Sequence, residues 1–496
     1  MKSKYGYITI GIIAVLTLTA LQLPSSDYSR TPAVNSTHFH AADDGYGHIS
    51  EISYQWQEIN GFCHWAASTM ALRSIGVDLD LHELFVVSGI GLSAAYIRYE
   101  ATMLMLPGAM YRQMVPLSYV SEFYGIDYDV FIDSSLEIGD VYSQAMGVWG
   151  LNYTEINGSS DAFDLLRTSV DDGYPLLIWT DPYYLPAEDY APIRALGLHS
   201  SDTGSGHSVL VVGYNDTSET AWIADPGVGS FGDNFGYPDD GRWYYNISYS
   251  DLNLGWRSLS YGSTLLRPGE DSEIDYQTSL ADFICKRLEG ERTSYAAGQE
   301  DLFFVTFGAD AFRAMSLDMN PDGLSLLLDN YNTHESRVVA LATVGISTES
   351  TITLQYLSYR QALETLPSLL HDWDLEEAIA RGSEALPHFE ALSDNTTLIS
   401  FDLSNYTGTI LWDTFVSLAR EYDSSNDLTT AITTYAENLT IIASHLAAIA
   451  DSWDALAQAL RAALSATPLD EILPVIGAST ALAVIVITAV VLRRRR

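Results

Sequence analysis

The stretch Tyr54–Gly76, "YQWQEINGFCHWAASTMALRSIG", decides how this chain is read. Asn60-Gly61 is a turn pair. An apolar, helix-like run starts directly after it, and Cys63 falls at the join. Cys63 is one of 2 cysteines in 496 residues. At the first turn of a helix, free backbone N–H groups and the helix dipole favour a thiolate. Three readings stand for such a residue: core side chain, half of a disulfide, or nucleophile. The only partner for a disulfide is Cys285, in the amphipathic run "LADFICKRLEG", where core packing is the expected role.

The surroundings of this stretch have a mixed pattern from Ile49 to about Gly269. Helix-like runs come first: "CHWAASTMALRSIG", "DLHELFVVSG" and "MYRQMVPLSYVSEFYG". Short β-rich runs bounded by turn residues follow: "YDVFI", "YPLLIWT", "HSVLVVGY", "TAWIAD" and "RWYYNIS". "GYNDTSET" joins two of them as a hairpin. Helices first and an antiparallel sheet after is an α+β arrangement.

A thiol nucleophile needs a lowered pKa, a base in reach, a group to orient that base, and donors for a developing oxyanion. The sequence has a candidate for each. Cys63 has its helix start. Gln57, six residues upstream, can aim its side-chain amide at the oxygen that the Cys63 N–H faces. His207 opens "GHSVLVVGY" after the Gly-rich "TGSG", at the head of a strand. Asp225 closes the next strand in "TAWIADPG", and adjacent antiparallel strands bring it beside His207. His64 adjoins the cysteine but points about 100° away on a helix. Taken singly, the cysteine reads as core, the histidine as a surface or satisfied core group, and the Asp-Pro-Gly as a turn.

The order Gln-x5-Cys at a helix start, then Gly-His-strand-Gly-Tyr, then Asp-Pro, resembles the papain-like cysteine peptidase superfamily, and within it the C39-like branch. A narrower resemblance is carried by "FCHWAASTMALRSIGVDLDLHELFVVSGIGL" and by "PLLIWTDPYYLP" followed by "GHSVLVVGYN". These are similar to the N-terminal family of butirosin biosynthesis protein H. The resemblance covers about residues 49–269. It implies Cys63 as nucleophile, His207 as general base, Asp225 as its orienting group and Gln57 as oxyanion donor. Two departures from papain are present: His64 stands between Cys63 and Trp65, and no cysteine lies just upstream to form a structural disulfide. The implied fold is a papain-like α+β domain with a catalytic Cys helix and an antiparallel sheet.

Beyond residue 270 the composition turns helical and a helical accessory domain is expected over 270–468. Leu428, Ile432, Tyr435, Leu439, Ile442, Leu446, Ile449, Trp453, Leu456 and Leu460 alternate steps of four and three, a heptad seam. As one helix, 428–460 would run about 50 Å. It reads either as the longest helix of a bundle or as a surface for self-association. The region 27–48 reads as a linker.

Both ends carry apolar segments. Residues 1–26 read as a signal peptide or an N-terminal anchor. Ile472–Leu492 is long enough to span a bilayer, with four arginines behind it expected on the cytoplasmic side. The body is then expected to be extracellular, on a cell-membrane protein with one span. Eight Asn-x-Ser/Thr sequons, at Asn35, Asn152, Asn157, Asn215, Asn246, Asn395, Asn405 and Asn438, agree with an external glycoprotein.

Charge excludes one class of partner. With 24 Lys+Arg against 64 Asp+Glu, the chain has no basic footprint for nucleic acid. No cofactor or metal is expected. The histidines at 38, 40 and 48 read as a leader, and Asp233, Asp239 and Asp240 as a plain loop rather than a calcium site. Three functions stand: a hydrolase, foremost a peptidase, acting on a peptide or acyl substrate through Cys63; an acyltransferase passing an acyl group to an amine, as the narrower resemblance implies; or a surface binding protein without turnover. Tyr183 and Tyr184 in "DPYYLP" read as a border of the substrate cleft or as an ordinary loop.

Overall fold

The structure is a computed structural model. It describes residues 45–49, 52–59, 61–99, 102–107, 116–140, 143, 152–203, 206–228, 244–270, 274–290, 303–329, 331–393 and 408–465. Residues 1–26, Asp233, Asp239, Asp240 and the apolar segment 472–492 lie outside these. No helix among the described residues is long and apolar enough to cross a membrane.

The main sheet contains β1 (Tyr46–His48), β4 (Ile126–Ile132), β5 (Thr154–Glu155), β6 (Leu176–Thr180), β7 (His207–Asn215), β8 (Thr220–Ala224), β9 (Tyr245–Ser248) and β10 (Ser263–Pro268). Its order is β5-β4-β10-β6-β7-β8-β9, with β1 also paired to β7. The pairings are antiparallel except β4 with β5. Central β7 is an apolar, β-branched run buried on both faces, as a mid-sheet strand requires. The expected hairpin joins β7 to β8, and its register shifts between Val211 and Gly213. A side chain at Gly213 would put Cβ 2.1 Å from the Trp222 ring, so only glycine lets that ring cross the bulge. The C-terminal end of the segment read as a linker, Tyr46–His48, is a strand of this sheet.

Helix α1 (Cys63–Ser74) packs on one face of the sheet. Its residues from His64 to Leu72 are all buried, so it is a central helix rather than a half-exposed one. Trp65, Ala66 and Met70 share a core with Leu177, Trp179, Leu210 and Val212. Alternate strand residues Ile178, Val209 and Val211 face the opposite way, into a second core with Leu252 and Trp256. Each large apolar side chain so buried contributes about 1.5–3 kcal/mol.

The region after residue 270 differs from expectation in two respects. It is not wholly helical: β11 (Phe303–Phe307), an aromatic and β-branched run, pairs with β2 (Ala94–Tyr99), which pairs with β3 (Thr102–Pro107). The heptad segment is not one helix. It divides into α5 (Leu428–Thr434) and α6 (Ala436–Ser465), with Tyr435 capping the first. The Thr433 and Thr434 hydroxyls donate back to the carbonyls of Thr429 and Thr430, which weakens a helix already rich in β-branched residues.

The seam of α6 is buried within the molecule. Leu439, Ile442, Leu446, Ile449, Trp453, Leu456 and Leu460 lie in the same core as α1. They pack against α3 (Gly308–Met319) and the helices Glu376–Ser383 and Tyr276–Glu289, with Phe312 edge-on to Trp453. A long helix, α4 (Glu349–Leu369), packs on α2 (Leu81–Val87). The core therefore runs continuously across the expected boundary at residue 270.

Candidate active site

Helix α1 starts at Cys63, with Phe62 as its cap residue. No side chain caps this end and no acidic residue lies in its first turn. The first-turn amides are therefore left for the sulfur or for a ligand. The His64 N–H and the Ser208 N–H both hydrogen-bond the Cys63 sulfur. Cys63 keeps part of its surface in solvent and is not in a disulfide.

His207 is the first residue of β7 and Asp225 directly follows β8. The imidazole Nε2 lies 2.7 Å from Asp225 Oδ1. The His207 and Cys63 side chains hydrogen-bond each other. With Nε2 given to Asp225, Nδ1 is the nitrogen left for the sulfur. The three residues singled out from sequence thus meet at one end of the sheet.

Burial opposes charge on all three groups, and their mutual attraction outweighs it. Burial pushes the Cys63 thiol up, but the His207 charge, its hydrogen bond and the two amides bring it below the ordinary value. Burial pulls His207 down, but Asp225 and Cys63 raise it to about 10. Burial pushes Asp225 up, but His207, the Tyr245 hydroxyl and the Gly227 amide hold it below the usual carboxylate range. The three shifts all favour the charged forms: thiolate, imidazolium and carboxylate.

Asp225 is completely buried and well supplied with donors. Tyr245 donates its hydroxyl to Oδ2 at 2.7 Å, and the Gly227 N–H donates to Oδ1 at 2.7 Å. The Tyr190 hydroxyl lies 3.0 and 2.9 Å from the two carboxylate oxygens and 3.0 Å from His207 Nε2. Its one proton goes to the carboxylate, so its lone pairs face the imidazolium N–H. Gly227 has no room for a side chain: a Cβ would lie 2.4 Å from the Tyr190 hydroxyl and 2.8 Å from His207 Cε1. Sequence reasoning missed all three supports. Gly227 and Tyr245 stand inside runs it singled out, but Tyr190 lies in the excursion between β6 and β7 and carries no motif.

Gln57 is buried, and its N–H donates to the Pro226 carbonyl at 3.0 Å, beside Asp225. His64 is buried too; burial pushes it down to about 4, and its Nδ1 lies 3.4 Å from Ser208 Oγ. It is a neutral core side chain turned toward β7. Tyr183 and Tyr184 lie in a short helical turn whose start is tied by Asp181, which accepts from the Tyr183 and Ser200 amides. Tyr183 packs on His199 in a tilted arrangement with ring centres 3.8 Å apart. The turn follows Thr180, the register partner of His207, so it begins at the same end of the sheet. His48 packs on Trp222 and Tyr244. Among the described residues no group of three or more side chains is arranged to hold a metal ion.

No curated protein matches the chain. Among solved structures, it is similar to a crystal structure assigned as a C39-like peptidase from Bacillus anthracis. The identity is 13%, over 45% of this chain and 98% of that one, with a TM-score of 0.26. A family model matches residues 49–235, which include Cys63, His207 and Asp225: the Peptidase_C39 like family. The segment is thus a C39-like domain of the papain-like cysteine peptidase branch.

Proposed function

We propose that this protein is a membrane-anchored, outward-facing cysteine peptidase that cleaves peptide or amide bonds through Cys63, His207 and Asp225. The observation that carries this reading is the meeting of a solvent-reachable, hydrogen-bonded sulfur with an imidazole held by a buried carboxylate. The membrane reading is supported by the apolar segments 1–26 and 472–492 and the arginines behind the second.

In this mechanism the Cys63 thiolate adds to the scissile carbonyl carbon. The oxygen takes up the negative charge, facing the Cys63 N–H at the start of α1 and the Gln57 side-chain amide. The C–N bond then breaks, and the His207 Nδ1 proton passes to the leaving amine. A thioester remains on Cys63. Water adds to it, giving a proton to the now neutral His207, and the thiolate departs as the acid is released. Asp225 holds the imidazole orientation throughout and stays ionised.

The test is hydrolysis of a peptide mixture by the purified protein under reducing conditions, read by mass spectrometry, with iodoacetamide labelling of Cys63 alongside. New peptide termini lost in Cys63→Ala, with labelling lost in His207→Ala and kept in Cys285→Ala, support the reading. No labelling of Cys63 sinks it. A second reading, acyl transfer to an amine, rests on the likeness of "FCHWAASTMALRSIGVDLDLHELFVVSGIGL" to the butirosin biosynthesis protein H family. Added amines converted to amides, in place of free acid, would favour it.

A further inference from the structure

The chain between Gln57 and Cys63 begins with a strained turn at Glu58. Glu58 has φ +64° and the Ile59 N–H donates to the Gln57 carbonyl at 2.7 Å. A residue at positive φ bridged by an i to i+2 bond is the rare, strained form of γ-turn. For a residue with a Cβ that conformation is unfavourable and persists only where the surroundings enforce it. The chain then turns again: the Phe62 N–H donates to the Ile59 carbonyl at 3.3 Å, with Gly61 at φ +107° between them.

Three elements enforce this path. His82, in α2, sets its Nε2 3.0 Å from Glu58 Oε2 and 2.9 Å from Oε1, a two-pronged contact. The Glu58 hydrogen bond is the largest influence on His82 and raises its pKa, with Asp80 and Glu364 adding to it. Leu354 of α4 lies against Gly61, where a Cβ would sit 2.6 Å from its methyl. The Pro226 carbonyl holds the Gln57 N–H. A half-exposed ion pair alone contributes little. This one differs because it closes onto the strained residue directly after Gln57.

We infer that Glu58 and His82 form a clasp that positions Gln57, and with it the oxyanion pocket, relative to Cys63. Glu58 and His82 are positioning residues: they act through the turn and not on the reacting atoms. The inference rests on the reading of Cys63 as a nucleophile toward carbonyls and of Gln57 as an oxyanion donor.

The test compares two reactions of the same sulfur in the full-length protein. Acylation by p-nitrophenyl acetate builds an oxyanion; alkylation by iodoacetamide does not. Glu58→Ala keeps the strain and removes the clasp. It should slow acylation by roughly 10- to 100-fold and leave alkylation within about twofold of the parent. Glu58→Gly removes the strain as well, since glycine adopts this φ freely, and should recover most of the loss. His82→Phe should follow Glu58→Ala, and Gln57→Ala should slow acylation at least as much. Acylation unchanged in Glu58→Ala, an equal slowing of both reactions, or no recovery with glycine would overturn the clasp and leave the nucleophile standing. Alkylation of Cys63 that ignores His207→Ala in the parent would instead overturn the nucleophile and the clasp with it.

Discussion

The two cysteines lie in regions that treat a sulfur in opposite ways. At the sheet end, Cys63 meets an imidazolium and two backbone amides, and its thiolate is favoured against burial. In the helical region, Cys285 is buried in the apolar core with the Ala457 carbonyl 3.8 Å from its sulfur. Burial pushes that thiol up to about 12, with Arg461 opposing the shift and Glu289 and Asp282 adding to it. The difference teaches that burial alone does not set reactivity. What counts is whether low dielectric is filled with a matching charge and aimed donors or with hydrocarbon.

The sharpest way to break the comparison is His207→Ala. It removes the cation that holds the Cys63 thiolate, and alkylation at neutral pH should fall on the order of 10³-fold, toward the inert behaviour of Cys285. Competitive labelling with iodoacetamide, resolved peptide by peptide, reads both sulfurs in one sample. If Cys63 stays reactive in this variant, the contrast is not due to the imidazolium.

Asp225→Asn tests the next layer, with an expected loss of roughly 10²-fold at neutral pH. The direction of the pH profile is fixed by the shifts. His207 is raised to about 10, so its charge is present below that pH and lost as pH rises through it. Cys63 is lowered, so its thiolate is present above that lowered value and lost as pH falls through it. Removing the carboxylate lets the imidazolium deprotonate earlier and the thiolate form later. The acid-side edge of the alkylation rate against pH should move to higher pH; an unmoved edge would show that Asp225 does not set these charges.

Smaller effects separate the supports of Asp225. Tyr190→Phe removes one hydroxyl and keeps the ring, and turnover should fall about three- to tenfold, the worth of one hydrogen bond. Gly227→Ala drives a Cβ against both the Tyr190 hydroxyl and the His207 ring and should cost more than Tyr190→Phe. The reverse ranking would mean that the turn yields easily. The smallest effect is expected for Cys285→Ala: no change in Cys63 labelling, and about 1 kcal/mol of stability lost by denaturant melting, from the vacated volume.

How much of this was legible along the chain varies from residue to residue. Cys63, His207 and Asp225 could be read because each stands where an element begins or ends, next to turn residues that mark the place. The β7–β8 hairpin was legible for the same reason. Tyr190 was not, because it reaches the pair from an excursion whose path has no period. Nor was the His82–Glu58 contact, where two separate segments meet only once α2 has packed. The seam from Leu428 to Leu460 was read correctly as an apolar stripe but not as two helices, since a period does not register the local weakness of a threonine-rich turn. The strand at Phe303–Phe307 was hidden because its partners lie some two hundred residues earlier, in β2.

By itself, the sequence determined which side chains are chemically equipped, the α+β order of the first half, and the apolar stripes that must be covered. These are local properties, set by side-chain type, periodicity and turn chemistry. Only the tertiary structure decided that the stripe of α6 is covered from within and that its core is continuous with that of α1. Only it placed four donors around Asp225 and locked a strained turn in front of Cys63. Charge stabilisation in a buried site depends on distances between residues far apart in the chain, and such distances exist only after the layers have packed.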